Sequence, residues 1–156
     1  EKVTEIDENY TPAYYRRARL LTGPDDYELA KQNYQMAVDI DENFAEAHYY
    51  LGKLLAGGRR VNADGTSVTE PEYELATKHF RIALDLNPHD PKAHFNLAKA
   101  YAARKEYGPA EQHFLKAIDL NPDYAKAHFH LALLLLEIEK RKESGQKEEQ
   151  SPGQGA

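Results

Sequence analysis

The sequence predicts an all-α fold built from consecutive helix pairs, and three observations support that prediction. Related segments recur at a fixed spacing, because "IDENYTPAYY" begins at Ile6 and "IDENFAEAHY" begins 34 residues later at Ile40. Apolar residues within each segment follow the helical period of about 3.6 residues. Two helical patterns separated by a short break fit into each repeat. We therefore expect a helix–turn–helix unit that is repeated along the chain.

The 34-residue spacing divides the 156-residue chain into successive units. Residues 11–44 form the first unit, 45–90 the second and 91–124 the third, while 125–143 supply only a terminal first helix. The second unit is twelve residues longer than the others, which places an insertion at about 57–70. Residues 1–10 resemble the end of a second helix, so we expect an earlier repeat before them. Residues 144–156 are polar and are expected to form a disordered tail.

Small and aromatic residues alternate at fixed places in the second helix of each unit. The recurring residues are Ala30, Ala76 and Ala110, followed four positions later by Tyr34, Phe80 and Phe114. A small side chain allows two helices to approach closely, and an aromatic ring one turn later fills the facing hole. This spacing therefore predicts where the helices of a pair pack together.

Two units share a fuller motif of small, apolar and aromatic residues. The second unit has it at Leu51, Gly52, Ala76, Phe80, Ala83 and Pro88, and the third at Leu97, Ala98, Tyr101, Ala110, Phe114, Ala117 and Pro122. This pattern resembles the tetratricopeptide repeat family. The first unit departs at Arg17, where a leucine is usual, and at Glu42, where a proline is usual. The resemblance implies a right-handed superhelical solenoid of antiparallel helix pairs. It also implies an interaction scaffold whose concave groove holds a peptide or a helix.

Composition and motifs argue against several classes of function. The net charge of −6 disfavours nucleic acid or an acidic membrane surface as the partner, and no apolar run is long enough for membrane insertion. The chain has no cysteine, and it shows no nucleophile elbow, phosphate-binding glycine loop or dinucleotide motif. We therefore expect a protein that is not an enzyme and that uses no cofactor. The sequence does not indicate a localisation.

One stripe of the first helices combines aromatic and basic residues. At about 100° per residue, the second, fifth, ninth and twelfth residues of each first helix share one face. The fifth residue is aromatic in every unit, and the ninth is basic in three of the four. In the geometry that the resemblance implies, this stripe lines the concave groove. The predicted groove residues are Tyr15, Arg19, Tyr49, Lys53, Lys92, Phe95, Lys99, Lys126 and Phe129, with Arg16, Tyr50, Asn96 and His130 at its edge.

A basic, aromatic-lined groove in an acidic chain indicates a partner of opposite charge. Lys and Asn side chains bind carboxylates and peptide backbone groups, while Tyr and Phe rings contact apolar side chains. We expect the groove to bind an extended acidic peptide or a C-terminal carboxylate. The alternative is a solvated charged face whose aromatic residues only hold neighbouring helices together.

The family also contains a carboxylate-clamp subclass that binds the C-termini of heat-shock chaperones. Asn96 and Lys126 match that clamp in phase. Tyr49 stands where Lys is expected, Lys53 where Asn is expected, and His130 where Arg is expected. A chaperone-binding co-chaperone is therefore an alternative function. The match is only partial, because Lys cannot reproduce the paired donor and acceptor of an Asn amide.

Histidines also recur in phase with the repeats. The packing stripe of each first helix consists of its fourth, seventh, eighth and eleventh residues. His48, His94 and His128 occupy one place on this stripe, and His79 and His113 occupy one place on the second helices. A repeated position of this kind indicates a half-buried packing role. No metal site is expected, because cysteine is absent and the histidine spacing does not suit zinc.

The terminal first helix carries more apolar residues than its packing stripe requires. Leu131 and Leu135 lie on that stripe, whereas Leu133, Leu134, Leu136 and Ile138 lie off it. Exposed apolar surfaces often mark contacts, so a second hypothesis is a self-associating scaffold that forms a homo-oligomer through this helix. A third hypothesis is that the array is the regulatory or substrate-binding part of a larger enzyme.

The insertion at about 57–70 falls between the two helices of the second unit. It contains Asp64-Gly65, a β-hairpin turn signal. Thr69 and Glu72 have the spacing of a capping box, which places Pro71 in the first turn of the resumed helix. Arg59 and Arg60 are candidate accessory contacts, and the alternative is a tolerated surface loop.

Overall fold

The fold is a linear array of seven α-helices within the part of the chain that the structure describes. A computed structural model describes residues 10–23, 26–58 and 70–149, with side chains described as far as residue 144. The helices are α1 (Thr11–Leu20), α2 (Tyr27–Ile40), α3 (Ala45–Gly57), α4 (Tyr73–Leu86), α5 (Pro91–Ala103), α6 (Tyr107–Leu120) and α7 (Ala125–Glu149). The prediction of an all-α fold is confirmed.

Each helix packs against its neighbours in the chain. The pairs α1–α2, α3–α4 and α5–α6 form the units, and the contacts α2–α3, α4–α5 and α6–α7 join one unit to the next. The first helices of successive units also touch, α3 with α5 and α5 with α7. The side on which first helices approach one another is therefore the inner side of the array.

The core is built from the alternating small and aromatic residues. Phe80 is fully buried between α4 and α3, and Ala76 is buried one turn before it. A Cβ atom at Gly52 would lie 3.0 Å from two carbon atoms of the Phe80 ring. Gly52 thus lets the aromatic ring lie directly against the backbone of α3. The third unit repeats this arrangement with Phe114 between α5 and α6, next to the small residue Ala98.

Two histidine pairs join first and second helices at equivalent places. The Nδ1 atoms of His48 on α3 and His79 on α4 lie 3.0 Å apart, and those of His94 on α5 and His113 on α6 lie at the same distance. The rings of each pair are stacked. The predicted packing role is confirmed for these four residues. His128 is exposed, because no described helix follows α7 to cover it.

Helix α5 has the best-defined start in the array. The Asp90 carboxylate accepts hydrogen bonds from the backbone N–H groups of Lys92 and Ala93, and Pro91 occupies the first helical position. The first backbone N–H groups of a helix have no acceptor within the helix. Proline has no N–H group to leave unsatisfied at this position, and the Asp90 carboxylate accepts hydrogen bonds from two of the others.

We expect Asp90→Ala to lower the free energy of unfolding by about 1 kcal/mol, because it removes this side-chain cap. Asp85→Ala, an exposed carboxylate near the end of α4, is the matched control and should change stability by less than half as much. Urea denaturation followed by circular dichroism measures both. Equal effects of the two substitutions would show that the cap does not stabilise α5.

The start of α4 differs from the prediction. The helix begins at Tyr73, so Pro71 and Glu72 precede it and the proposed capping box is wrong. The Glu72 carboxylate instead forms an ion pair with Lys31 on α2, and its backbone N–H donates to the carbonyl of Leu55. These two tertiary contacts hold the chain where it re-enters the array. Residues 59–69, which include Arg59, Arg60 and the hairpin signal, lie outside the described residues.

Helix α7 is longer than predicted, because it continues to Glu149 rather than ending at 143. The assignment of residues 144–149 to a disordered tail is therefore wrong, while residues 150–156 lie outside the described part. An ion pair one turn apart, between Glu137 and Arg141, supports the polar half of this helix. In the described part of the chain, no helix is long and apolar enough to span a bilayer.

The apolar residues of α7 divide between the core and the surface. Leu134 is 5% exposed and packs with Ala110 and Phe114 of α6, and Ile138 is partly buried in the same cluster. The prediction that these two residues form an outer contact is therefore wrong, because this face of α7 covers the preceding unit. Leu135 was predicted on the packing stripe but is exposed, because no described helix follows α7 to cover it.

Candidate functional site

The inner side of the array contains a groove of about 770 Å³ between α3, α5 and α7. Its lining residues are Tyr49, Tyr50, Lys53, Lys92, Phe95, Asn96, Lys99, Tyr124, Ala125, Lys126, Phe129 and His130. All predicted groove residues of the second, third and fourth units are among them. Tyr124 was missed, although an aromatic residue precedes three of the four first helices, at Tyr10, Phe44 and Tyr124.

The groove continues beyond this central cavity in both directions. Tyr50 and Lys53 also line a cavity of about 700 Å³ towards α1 and α2, which contains the predicted residue Arg19. Lys99 and His130 also line a cavity of about 520 Å³ towards the ends of α5 and α7. Because neighbouring cavities share these residues, they form one continuous surface along the array.

Four lysines give the central groove its positive charge. Lys53, Lys92, Lys99 and Lys126 all have exposed side chains. None of them forms an ion pair with an acidic side chain within residues 10–23, 26–58 and 70–144. Glu46 is acidic, occupies the second position of α3 and therefore lies on the same stripe, and it is also exposed. The groove thus has a positive local charge in a chain whose net charge is −6.

Aromatic rings hold two of these lysines and Arg19 in place. The Arg19 guanidinium lies 5.2 Å from the ring centre of Tyr50, and its Nη1 donates a 3.5 Å hydrogen bond to the Tyr15 hydroxyl. The ammonium groups of Lys53 and Lys99 lie 5.7 Å from the ring centres of Tyr50 and Phe95. Such cation–π contacts are worth about 0.5–1 kcal/mol at exposed sites. They restrict the side chains while leaving the charges accessible to a ligand.

Asn96 links two of the first helices. Its Nδ2 donates to the Tyr49 hydroxyl on α3 at 3.1 Å and to the backbone carbonyl of Lys92 at 2.9 Å. Both hydrogens of the amide are therefore used within the protein. The pKa of Tyr49 is raised to about 12, mainly by burial, so this hydroxyl stays neutral at physiological pH. Asn96 and Tyr49 consequently stabilise the groove wall.

The fifth-position aromatics are not equally available to a ligand. Phe129 is 61% exposed, whereas Phe95 is 6% exposed and contacts Phe114, Tyr124 and His130. Phe95 thus packs neighbouring helices together, as the alternative interpretation of the stripe expected. Phe129 remains free to contact an apolar group.

His130 sits in an aromatic cage at the groove wall. Its ring stacks on Phe114 and makes edge contacts with Phe95 and Phe129. Burial, and secondarily the positive charge of Lys99, lowers the pKa of His130 below its usual value. The ring is therefore neutral at physiological pH. Arg16 is exposed on α1 and lines none of the three cavities.

Comparison of the sequence with protein-family models identifies the repeats. Models described as tetratricopeptide repeat match residues 91–124 and 113–150, and a model described as TPR repeat matches residues 25–57. Together these matches span more than half of the chain. The chain belongs to the tetratricopeptide repeat family. No protein with curated annotation shows a significant sequence match.

Solved tetratricopeptide structures share the fold of this array. The first TPR of Spaghetti (RPAP3), bound to HSP90 peptide SRMEEVD, has a TM-score of 0.71 at 14% identity, with 86% of this chain and 98% of that chain covered. MamA from Desulfovibrio magneticus RS-1 has a TM-score of 0.71 at 22% identity, with coverages of 88% and 71%. YrrB, a TPR protein with an unusual peptide-binding site, has a TM-score of 0.63 at 25% identity, with coverages of 77% and 56%. The array is thus a protein–protein interaction scaffold of the tetratricopeptide type.

Proposed function

We propose that this tetratricopeptide array binds an extended protein segment that carries acidic side chains or a free C-terminal carboxylate. The observation that carries the proposal is the set of four exposed lysines around the central groove. These cations are available for a ligand, because no acidic side chain of the described residues neutralises them. Charge complementarity would attract an acidic segment and select against basic ones.

The groove suits an extended segment better than a compact ligand. The three cavities follow the array from α1 to α7, and each end cavity shares lining residues with the central one. Each exposed ion pair adds only about 0.2–1 kcal/mol, so several lysines must act together on one ligand. A segment with successive carboxylates meets that requirement.

The carboxylate-clamp alternative is less well supported. Asn96 has no free amide hydrogen, Tyr49 is half-buried, and His130 is neutral where the clamp has a charged arginine. The likeness to the Spaghetti structure, at 14% identity, is a likeness of fold. A general acidic segment therefore fits these residues better than the specific chaperone C-terminus.

A charge-reversal experiment tests the proposed function. We expect Lys53→Glu combined with Lys99→Glu to weaken binding of a labelled peptide that alternates glutamate and serine by about tenfold or more. The wild-type affinity should fall as NaCl rises from about 50 to about 300 mM, since salt screens exposed charges. Fluorescence anisotropy measures both effects. A peptide with glutamine in place of glutamate, and one with an amidated C-terminus, separate the contributions of side chains and of the terminal carboxylate.

The matched control is Lys78→Glu combined with Lys116→Glu. These lysines are exposed on the second helices α4 and α6, so the control changes the net charge equally but leaves the groove intact. We expect it to retain nearly the wild-type affinity. The proposal fails if the groove variant and the control bind the glutamate peptide equally well.

A further inference from the structure

The groove changes character where it reaches α7. The ninth residue is basic in α1, α3 and α5, where it is Arg19, Lys53 and Lys99, but the ninth residue of α7 is Leu133. The twelfth residue, counted from the start of the unit, is Leu136, where the other units have Thr22, Ala56 and Ala102. Phe129, Leu133 and Leu136 are 61%, 47% and 57% exposed. Their spacing of four and three residues places them on one face of α7. We call these three residues the α7 apolar stripe.

Two of the three stripe residues border the basic groove, while Leu136 lines none of its three cavities. Phe129 lines the central cavity together with Lys99 and Lys126. Leu133 lines the adjoining cavity, which also contains Lys99 and His130. Lys99 therefore borders both the charged and the apolar parts, so one extended ligand can contact both.

The core of the array does not use the α7 apolar stripe. The residues of α7 that pack against the preceding unit are Ala127, His130, Leu131, Leu134 and Ile138. A following second helix would cover the packing stripe that contains Leu135. Lys53 and Lys99, the counterparts of Leu133, remain exposed although another helix pair or α7 follows each of them. Leu133 therefore faces the groove in any extension of the array.

We propose that the α7 apolar stripe is a subsite for a bulky aliphatic or aromatic side chain of the ligand. The inference rests on the proposed function and extends it. The partner segment would carry acidic residues that face Lys53 and Lys99, and next to them an apolar anchor that contacts Leu133. Burying such a side chain removes apolar surface of both molecules from water, which adds affinity that exposed ion pairs do not supply.

Two labelled peptides test the subsite. One has alternating glutamate and serine followed by two leucines, and the other has serines in place of the leucines. We expect wild-type protein to bind the leucine peptide about tenfold more tightly, at a salt dependence equal to that of the serine peptide. Leu133→Ser combined with Leu136→Ser should abolish this preference and leave the affinity for the serine peptide unchanged.

The matched control is Leu29→Ser combined with Leu115→Ser. These leucines are 38% and 46% exposed, and they lie on α2 and α6, away from the groove. We expect this variant to keep the tenfold preference. Thermal unfolding followed by circular dichroism verifies that both variants fold as the wild type does.

The possible outcomes separate the two proposals. A preference for leucine that survives Leu133→Ser and Leu136→Ser overturns the subsite, while dependence on Lys53 and Lys99 would still support the basic groove. Loss of dependence on both lysines refutes the proposed function and the subsite with it. Analytical ultracentrifugation measures whether the protein is a monomer or a dimer. If wild-type protein forms a dimer that the two leucine substitutions dissociate, a second copy occupies the stripe and the subsite proposal is wrong.

Discussion

Replacing Phe80 with alanine should lower the free energy of unfolding by about 3–5 kcal/mol, the cost typical of a fully buried phenylalanine. Phe80 is 0% exposed and lies against the α3 backbone at Gly52, so its removal leaves a cavity between the two helices of the second unit. The backbone of α3 cannot collapse into that space without disturbing the contacts of Leu51 and Leu55 in the same cluster.

Urea denaturation followed by far-ultraviolet circular dichroism measures the loss. Leu86→Ala is the control on the same helix, because Leu86 is 38% exposed and its truncation should cost less than about 1 kcal/mol. The effect of Phe80→Ala should extend to both neighbouring units, since each unit of a repeat array is stabilised by its contacts with the next. If the two substitutions have equal effects, Phe80 does not hold α3 and α4 together.

Lowering the pH from about 6.5 to about 4 should destabilise the array through its two histidine pairs. Nε2 of His48 contacts the carbonyl oxygen of Glu42 at 3.1 Å, so it carries a proton. Neutral His48 therefore accepts at Nδ1 the hydrogen bond that His79 donates. His94 and His113 form the same pair, with Nε2 of His94 donating to the carbonyl of Pro88. Protonating both rings of a pair would place two N–H groups against each other.

Burial is the largest cause of the pKa shifts in these pairs. It lowers the pKa of His79 from 6.5 to about 4, and it lowers the pKa values of His48, His94 and His113. Below about pH 6.5 the unfolded chain binds protons that the folded chain does not, so stability falls with pH and the loss is complete below the folded pKa.

Chemical denaturation at a series of pH values tests this prediction. His79→Asn combined with His113→Asn keeps a donor near each Nδ1 position but removes two buried titrating rings. We expect this variant to lose stability less steeply than the wild type as the pH falls through this range. His89→Asn, which changes an exposed histidine, should retain the wild-type slope. An unchanged slope in the double variant would contradict the role of the pairs.

The sequence predicted the all-α fold of helix pairs and the tetratricopeptide motif, because the relevant signals are periodic. The aromatic fifth position and the basic ninth position recur in the first helices, and Lys53, Lys99 and Phe129 line the continuous groove. Periodicity cannot distinguish members of a stripe whose neighbours differ. Phe95 is enclosed by Tyr124 at the end of its own unit and by His130 on α7, whereas Phe129 has no described unit beyond it.

The errors have the same origin. Leu134 was assigned to an outer surface from its angle on the helix, yet α6 supplies Ala110 and Phe114 to bury it. Glu72 was assigned to a local cap, yet Lys31 lies close enough to form an ion pair with it. The actual environment of each residue depends on which helix lies opposite it. The local spacing of residues does not contain that information.

The sequence alone determined the helix-pair unit, its 34-residue spacing, the tetratricopeptide motif and the stripe of alternating aromatic and basic residues. These properties depend on the helical period and on local packing rules, which act over a few turns of the chain. Only the tertiary structure decided which members of that stripe are accessible, that Asn96 is bonded to Tyr49, and that the basic groove borders an apolar surface on α7. These properties arise where side chains from different units meet, so burial and hydrogen-bond partners are set by residues distant in the sequence.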